Sequence, residues 1–128
     1  MCGEQKFYIC KHCGNIIGVI QNGGGKLICC NEAMTELVSN TTEAATEKHL
    51  PIITISGNEV TVTVGSIAHP MTEEHLINWI YLLTEKGGQR KCLLPGQEPI
   101  AKFVLTEDDH VIAAFAYCNL HGLWRTDI

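Results

Sequence analysis

Residues 53–64 read Ile-Thr-Ile-Ser-Gly-Asn-Glu-Val-Thr-Val-Thr-Val, and this stretch decides the fold. Apolar and polar side chains alternate on both sides of the Gly57-Asn58 pair. Strict alternation is typical of a half-buried β-strand, and a two-residue turn of this composition is typical of a tight hairpin. The stretch therefore predicts two antiparallel strands joined by a β-turn.

Three segments outside this hairpin carry further strand signals, namely residues 75–84, 101–106 and 111–117. Part of the first segment, residues 76–83, is apolar enough to form a helix, but its Ile, Trp and Tyr content favours a strand. The acidic residues 107–109 predict a solvated turn between the last two segments. Several short strands at this spacing predict an antiparallel β-sandwich and a mainly β fold class.

The cysteines are unevenly distributed and indicate two domains. Five of the seven lie within the first 30 residues, at Cys2, Cys10, Cys13, Cys29 and Cys30. We expect a small domain over residues 1–36 and the sandwich over residues 37–128. A chain shorter than ~40 residues usually needs a metal, a disulfide or an oligomer to fold, so these cysteines are expected to supply that staple. The run Gly23-Gly24-Gly25 predicts a hairpin turn, because a phosphate loop would need Ser or Thr after Lys26.

Length and charge exclude several classes of protein. A chain of 128 residues is too short for a large multi-domain enzyme. Nine Lys and Arg against fourteen Asp and Glu give a net charge of −5, which lacks the basic footprint of a nucleic-acid binder. Uncharged stretches are too short for a membrane span and the N-terminus lacks an apolar signal core, so we expect a cytoplasmic protein. In that compartment cysteines bind metal or do chemistry more often than they form disulfides.

The first candidate site consists of sulfur ligands. Cys10 and Cys13 form a C-x2-C pair, and Cys29-Cys30 adds two thiols after 15 intervening residues. Four thiolates make a closed tetrahedral metal site, whereas a thioredoxin-like redox pair would need a βαβ context. The spacing predicts a metal site and leaves zinc and iron open. We expect His12 to be an exposed polar residue, and Cys2 and Cys92 to be ordinary thiols.

A second group of possible ligands lies in the remaining chain. Cys118 and His121 form a C-x2-H turn after a predicted strand, and such a turn offers two ligands to one ion. The other candidates are His49, His69 and His75; the first two lie close to prolines, which restrict the backbone. These residues alone leave a second metal site open, because a single histidine is more often a surface or core residue than a ligand.

These motifs occur together in one known family. The chain combines the four cysteines with Glu47-Lys48-His49, Ala68-His69-Pro70-Met71, His75 and Tyr117-Cys118-Asn119-Leu120-His121-Gly122-Leu123-Trp124. Over essentially its whole length it resembles desulfoferrodoxin, the two-iron superoxide reductase. The resemblance implies a desulforedoxin-like domain with a ferrous or ferric iron on the four cysteines, followed by an immunoglobulin-like sandwich. It also implies that the sandwich holds a second iron, ferrous or ferric, with one coordination position open, on His49, His69, His75 and His121 in a plane and Cys118 on the axis.

The resemblance further implies an activity and partners. Superoxide is reduced by one electron to hydrogen peroxide at the second centre without release of dioxygen, and a donor such as rubredoxin returns the electron. Lys48 is expected to attract the superoxide anion. Glu47 resembles the carboxylate that occupies the open position of the oxidised iron. The family also implies a homodimer and a role in superoxide detoxification under oxidative stress.

Two other functions stay open on the residues alone. A zinc-stapled binding module would use the four cysteines only for folding, and it would be colourless and indifferent to superoxide. A rubredoxin-like electron carrier would use only the first site, so that replacing Cys118 or His69 would change nothing.

Overall fold

The computed structural model describes residues 3–128, so Cys2 lies outside the described residues. The described chain forms two compact units, residues 3–38 and 39–128. Both are built from short antiparallel strands, which confirms the mainly β fold class. Within residues 3–128, none of the helical structure is long and apolar enough to cross a membrane.

The smaller unit contains two small sheets. One has β1 (Lys6–Ile9) between β2 (Ile16–Val19) and β5 (Thr35–Glu36), and the other pairs β3 (Ile28–Cys29) with β4 (Glu32–Ala33). Phe7 and Cys10 are the buried apolar residues of this unit among those described. Two buried apolar residues are far fewer than a domain normally has, which agrees with the expectation that a bound metal stabilises this unit.

The glycine run 23–25 does not close a hairpin. It lies on the connection from β2 to β3, which belong to different sheets. The prediction of a hairpin turn was wrong, because a glycine cluster signals a change of chain direction and carries no information about which strand the next one pairs with.

The larger unit is a sandwich of two antiparallel sheets. One sheet has the order β10 (Ile100–Val104), β7 (Glu59–Val64), β6 (Pro51–Ser56); the other has the order β12 (Gly122–Asp127), β11 (Val111–Cys118), β8 (Ile77–Thr84), β9 (Gly87–Cys92). A single helical turn, α1 (Thr46–His49), precedes β6. The predicted hairpin is confirmed, with Ser56 paired to Glu59 across the turn. The segments 75–84, 101–106 and 111–117 each overlap a strand, as predicted.

Alternate side chains of both sheets form the core between them. The fully buried members include Val60, Val62 and Val64 from one sheet and Ile80, Leu82, Ala114 and Ala116 from the other. Burying a Val, Leu or Ile side chain contributes about 1.5–3 kcal/mol, so this core stabilises the pairing of the two sheets by apolar burial. Ile77 and Cys118 pair at the same end of β8 and β11, and that end carries the second group of candidate ligands.

Two strands of the larger unit were not predicted. β9 reads Gly-Gly-Gln-Arg-Lys-Cys, has no apolar alternation and is an exposed edge strand. β12 follows the C-x2-H turn and pairs with β11 from Cys118↔Gly122 onward. That pairing fixes the turn between the two strands, and with it the positions of residues 119–121.

Candidate metal centres

The four cysteines of the smaller unit come together in one cluster. Their sulfur atoms all lie within 4.8 Å of one another. The Cys13 and Cys29 sulfurs are 3.6 Å apart and the Cys29 and Cys30 sulfurs 4.0 Å, well beyond the ~2.05 Å of a disulfide bond. The arrangement is that of four free thiols converging on one point, as a tetrahedral metal ion requires.

Two tight turns create this convergence. In the first, the Cys10 N–H donates to Asn15 O at 2.8 Å and the Gly14 N–H donates back to Cys10 O at 2.8 Å. In the second, Cys30 and Asn31 both have positive φ, 53° and 62°, between the paired residues Cys29 and Glu32. Two left-handed central residues make a type I′ hairpin, whose tight reversal brings adjacent cysteines to one point. Asn31 is the only sequence signal for this turn, because Asn tolerates positive φ better than most residues.

The protonation of the four thiols indicates why a cation is needed. The N–H of Cys13 lowers the pKa of Cys10 to about 6, whereas the neighbouring Cys10 and Cys13 sulfurs raise the pKa of Cys29 to about 12. The same two sulfurs raise the pKa of Cys30. Four adjacent thiolates repel one another, so all four ionise together only when a positive ion lies among them.

His12 and Cys92, which the sequence did not assign to a metal site, have partners of their own. His12 is exposed, and its Nε2 pairs with the Glu32 carboxylate at 2.9 Å. In the larger unit, the exposed Cys92 thiol accepts a hydrogen bond from Arg90 Nη1 at 2.7 Å. Both residues lie outside the two groups of converging ligand atoms.

The second group of candidate ligands converges at one end of the sandwich. His49 comes from α1, His69 from the loop after β7, His75 from the turn before β8, and Cys118 and His121 from the β11–β12 turn. Potential ligand atoms of four of them, His49, His75, Cys118 and His121, lie within 4.8 Å of one another. His69 joins them through its Nε2, which is 3.2 Å from Nε2 of His49.

The four imidazoles form a closed ring in the order His49, His69, His75, His121. Neighbouring ring centroids are 4.7, 4.6, 5.2 and 4.9 Å apart in that order, and each neighbouring pair is steeply inclined, at 74–88°. The diagonal pair His49 and His75 is 6.4 Å apart and only 33° inclined. The Cys118 sulfur lies 3.8 Å from His121 Nδ1, so the cluster offers a ligand set of four imidazole nitrogens and one sulfur.

Hydrogen bonds to the backbone fix the tautomers of two of these histidines. His49 Nδ1 lies 2.7 Å from Ala45 O, and His69 Nδ1 lies 2.7 Å from Pro70 O. A carbonyl only accepts, so each Nδ1 carries the proton and each Nε2 carries a lone pair. The two Nε2 atoms, 3.2 Å apart, therefore face each other without a proton between them. An ion between them relieves this repulsion, and such anchoring is typical of metal-bound histidine.

His75 provides an independent sign that the group fits a cation. Its Nε2 is buried and has no hydrogen-bond partner among the described residues. An unsatisfied buried nitrogen is costly, and coordination of a metal would satisfy it. The imidazole nitrogens and the Cys118 sulfur of this cluster therefore both suit a metal ion.

Burial keeps the ligands of this cluster in their metal-binding forms. Desolvation lowers the pKa of His49, His75 and His69, the last to about 4, so these rings stay neutral at physiological pH. Burial raises the pKa of Cys118, and the N–H groups of Leu120 and His121 oppose this by bonding to the sulfur. These two amides favour the thiolate once a cation is present.

Trp124 supports two of the histidines, and the sequence analysis assigned it no role. Its ring stacks on His49, with centroids 4.9 Å apart and an angle of 28°. Its Nε1–H donates to His121 O at 3.1 Å. The position of this Trp three residues after His121 is the signal in the sequence from which such a contact could have been inferred.

Glu47 and Lys48 are both exposed on α1 beside His49. The charge of Lys48 lowers the pKa of His49 and His75, whereas the charge of Glu47 raises that of His49. The backbone carbonyl of Glu47 accepts hydrogen bonds from Ile67 N at 3.0 Å and Ser66 Oγ at 3.2 Å, which tie α1 to the loop that carries His69. Both charges therefore act on the His49 imidazole from exposed side chains.

The chain is similar to known proteins in both sequence and structure. The family model described as desulfoferrodoxin matches residues 41–127, and that of the desulfoferrodoxin N-terminal domain matches residues 2–37. Desulfoferrodoxin from Nitratidesulfovibrio vulgaris is 44% identical over 127 residues, which are 99% of each chain. Superoxide reductase from Pyrococcus horikoshii is 37% identical over 64% of this chain and 86% of its own. The crystal structure of superoxide reductase from Treponema pallidum superposes with a TM-score of 0.82 at 38% identity, covering 97% of this chain and 98% of the other.

Proposed function

The chain belongs to the desulfoferrodoxin family, and we propose that it is a superoxide reductase that reacts at the histidine–cysteine cluster. One superoxide takes up one electron and two protons to give one hydrogen peroxide, and no dioxygen is formed. The proposal rests on the closed ring of four imidazoles, in which two lone pairs face each other 3.2 Å apart beside a buried thiol. Four nitrogens and one sulfur suit a redox-active transition metal better than a hard cation.

We assign two irons to the chain, each able to be ferrous or ferric. The first is held by Cys10, Cys13, Cys29 and Cys30, and the second by His49, His69, His75, His121 and Cys118. Both clusters fit the two iron centres of the family. An iron held by these five residues would supply the electron that reduces superoxide. The boundary between domains 1–36 and 37–128 stays a prediction.

Cys118 is the one sulfur ligand proposed for this centre, and it affects the electron density of a bound iron. Its thiol is buried, and the amides of Leu120 and His121 favour its anionic form. Thiolate ligation makes a bound iron more electron-rich, which favours electron transfer to a substrate. His75 and His121 are partly exposed, so water can reach this side of the cluster and supply the protons of the product.

We assign the steering of superoxide to Lys48. The chain has a net charge of −5, which repels an anion at long range. Lys48 is exposed, and its positive charge acts on both His49 and His75. A local cation beside the centre therefore offsets the repulsion where the substrate arrives.

Replacement of Lys48 tests this role. In Lys48→Ala we expect the second-order rate constant with superoxide to fall about tenfold at low ionic strength and to lose much of its salt dependence. Lys102→Ala is the control, because Lys102 is an exposed lysine on β10, a strand that carries no proposed ligand. Equal rates and equal salt dependence in the Lys48 variant and the wild type would exclude steering by this residue.

Glu47 is proposed to occupy the open position of the oxidised centre and to leave on reduction. Its exposed carboxylate lies on the same helical turn as His49, two residues before this proposed ligand. Azide binding to the oxidised protein tests the role. Glu47→Ala should bind azide more tightly than the wild type, and unchanged binding would count against it.

We also propose a rubredoxin-like electron donor, a homodimer and a cytoplasmic location. The family resemblance supports the donor and the dimer. The cysteines described by the structure are all free thiols, which suits a reducing compartment. Sedimentation of the metal-loaded protein tests the dimer, and turnover with reduced rubredoxin tests the donor.

The decisive experiment measures metal content and product stoichiometry together. Protein purified without oxygen should contain iron beyond the sulfur-bound metal, and it should give one hydrogen peroxide per superoxide with no dioxygen. Cys118→Ser should abolish this reaction while keeping the four-cysteine metal. A colourless zinc protein that does not react, or a redox protein unaffected by Cys118→Ser, would instead indicate a binding module or an electron carrier.

A further inference from the structure

Asn119 lies inside the C-x2-H turn, between the two proposed ligands of that turn, and its hydrogen bonds reach the two residues that flank a third, His75. Its Nδ2 donates to Glu74 O at 2.9 Å, and its Oδ1 accepts from Leu76 N at 3.0 Å. Its own backbone N–H donates to Leu76 O at 3.2 Å. These three bonds hold the backbone of Glu74 and Leu76, the residues on either side of His75.

His75 depends on such support more than the other histidines do. His49 and His69 are anchored through Nδ1 to backbone carbonyls at 2.7 Å, but no such bond holds the His75 ring among the described residues. The position of the ring is therefore set mainly by its own backbone. Thr72 holds the His75 backbone directly, since its hydroxyl accepts from His75 N at 3.1 Å and its N–H donates to His75 O at 2.9 Å. Asn119 holds the residues on either side of His75 and ties them to the segment that carries Cys118 and His121.

The strand ladder is irregular at this point. The pairing of β8 with β11 shifts register between Tyr117 and Cys118, and it resumes with Cys118↔Ile77 at the ends of both strands. Beyond that irregularity, the Asn119 side chain continues the connection between the two chain segments. A side-chain amide can do this because it offers one donor and one acceptor, as a backbone peptide does.

We propose that Asn119 is the positioning residue of the second centre, setting the separation of His75 from Cys118 and His121. The inference rests on the proposed function, in that it requires a metal at this cluster. Groups that orient metal ligands typically change metal affinity about 10- to 100-fold when they are removed. Asn119→Ala should therefore weaken metal binding at the second centre by about this factor and leave the four-cysteine centre unchanged.

Asn40 provides a matched control. Its Nδ2 donates to Arg125 O at 3.0 Å, its Oδ1 accepts from Arg125 N at 2.8 Å, and its own N–H donates to Leu123 O at 3.0 Å. Asn40 thus bridges two chain segments of the same unit through three bonds of the same kind. The bonded positions flank Trp124, which contacts two of the histidines, but none of them is next to a proposed ligand. Asn40→Ala should lower thermal stability and weaken metal binding far less than Asn119→Ala does.

The experiment titrates the metal-free full chain with Co²⁺ and follows the thiolate-to-cobalt absorption. The four-cysteine centre serves as an internal reference in every variant. We expect two Co²⁺ per chain in the wild type and in Asn40→Ala, and an about 10- to 100-fold weaker second site with a shifted thiolate band in Asn119→Ala. If Asn119→Ala does not fold, Asn119→Asp keeps the size and the acceptor for Leu76 N–H but loses the donor to Glu74, and a weakened second site is expected there too.

The outcomes separate this inference from the proposed function. A wild type that binds one Co²⁺ only, at the sulfur site, would overturn both. Two Co²⁺ in the wild type together with unchanged affinity and an unshifted band in the Asn119 variants would overturn the positioning role alone. Equal losses of affinity in the Asn119 and Asn40 variants would show a general effect of stability, and they too would overturn it.

Discussion

The two candidate centres are built in opposite ways. The four cysteines lie within 21 residues of sequence, Cys10 to Cys30, on two tight turns, and three of the four are at least partly exposed. The histidine–cysteine cluster draws its members from His49 to His121, and three of them, His49, His69 and Cys118, are buried. One centre is a local product of turns, and the other is a product of tertiary structure.

The difference indicates what each centre contributes to its own unit. The smaller unit has almost no apolar core, so the free energy of metal binding must supply most of its folding free energy. The sandwich has a close-packed core of its own, so it can hold its histidines in place before a metal arrives. The first centre is therefore expected to fold its unit, and the second to be held by its unit.

The largest effect should come from removing one sulfur ligand of the first centre. In Cys13→Ser, residues 3–38 should lose nearly all protection against amide hydrogen exchange, because a site with three thiolates no longer holds the metal tightly. Residues 39–128 should keep both their protection and the metal at the second centre. Hydrogen exchange followed by mass spectrometry of peptides from each unit measures this.

The matching variant of the second centre is His69→Ala. It should release the second metal and leave protection in residues 39–128 largely intact, because the sandwich core does not involve this ligand. If His69→Ala unfolded its unit as completely as Cys13→Ser unfolds the smaller one, the contrast between the two centres would be wrong. Retained hydrogen-exchange protection in residues 3–38 of Cys13→Ser would also contradict this contrast, because the smaller unit would then fold without its metal.

A smaller effect is expected from substitution of Gly65, which packs against the helical turn α1. A Cβ at Gly65 would lie 2.5 Å from Glu47 O and 3.1 Å from Leu50 O, so Gly65→Ala must push this helical turn and its His49 away. Overpacking of this kind costs about 1–3 kcal/mol, and the free energy of unfolding of the larger unit should fall by that amount. Both tryptophans, Trp79 and Trp124, lie in this unit, so urea denaturation followed by tryptophan fluorescence reports on it alone.

Gly23→Ala is a control for the readout, because Gly23 lies in the smaller unit, which contains no tryptophan. Nothing lies within 4 Å of a Cβ at Gly23, and its backbone does not have a positive φ that a side chain would strain. We expect the fluorescence transition of the larger unit to be unchanged in this variant. A transition of Gly65→Ala that coincides with that of the wild type would show that the loop yields without cost and that α1 is not rigidly held.

The same contrast explains how much could be predicted from the sequence. The ligand-bearing motifs and the hairpin at 53–64 depend on residue type and short spacing, and the structure brings all nine proposed ligands into two clusters. The convergence of the adjacent cysteines depends on positive φ at Cys30 and Asn31, which the sequence signals only through Asn31. The order of the four imidazoles and the bridging by Asn119 are set by tertiary packing, for which the sequence carries no local pattern.

The smallest effect is expected at the end of the sandwich that lies farthest from the second centre. Lys86 and Asp108 form an exposed ion pair with 2.6 Å between Nζ and Oδ2, beyond the C-terminal end of β8 and before β11. A strand of eight residues spans about 26 Å, so this pair is remote from the ligands at the other end. The Lys86 ammonium, helped by the Thr106 hydroxyl, lowers the pKa of Asp108 to about 2.

A carboxyl whose pKa is lower in the folded than in the unfolded state stabilises the fold at neutral pH, and this contribution is lost as the pH falls from about 4 towards 2. Lys86→Ala should therefore raise the pKa of Asp108 towards its ordinary value, which an NMR titration of the carboxyl carbon measures. The acid unfolding midpoint of the larger unit should move slightly upward in pH, while the metal content of both centres stays the same. An unchanged pKa would mean that the ion pair is not populated in solution. A loss of second-centre metal would mean that the cluster is sensitive to the far end of its own sandwich, so that its ligands are held less rigidly than the core packing indicates.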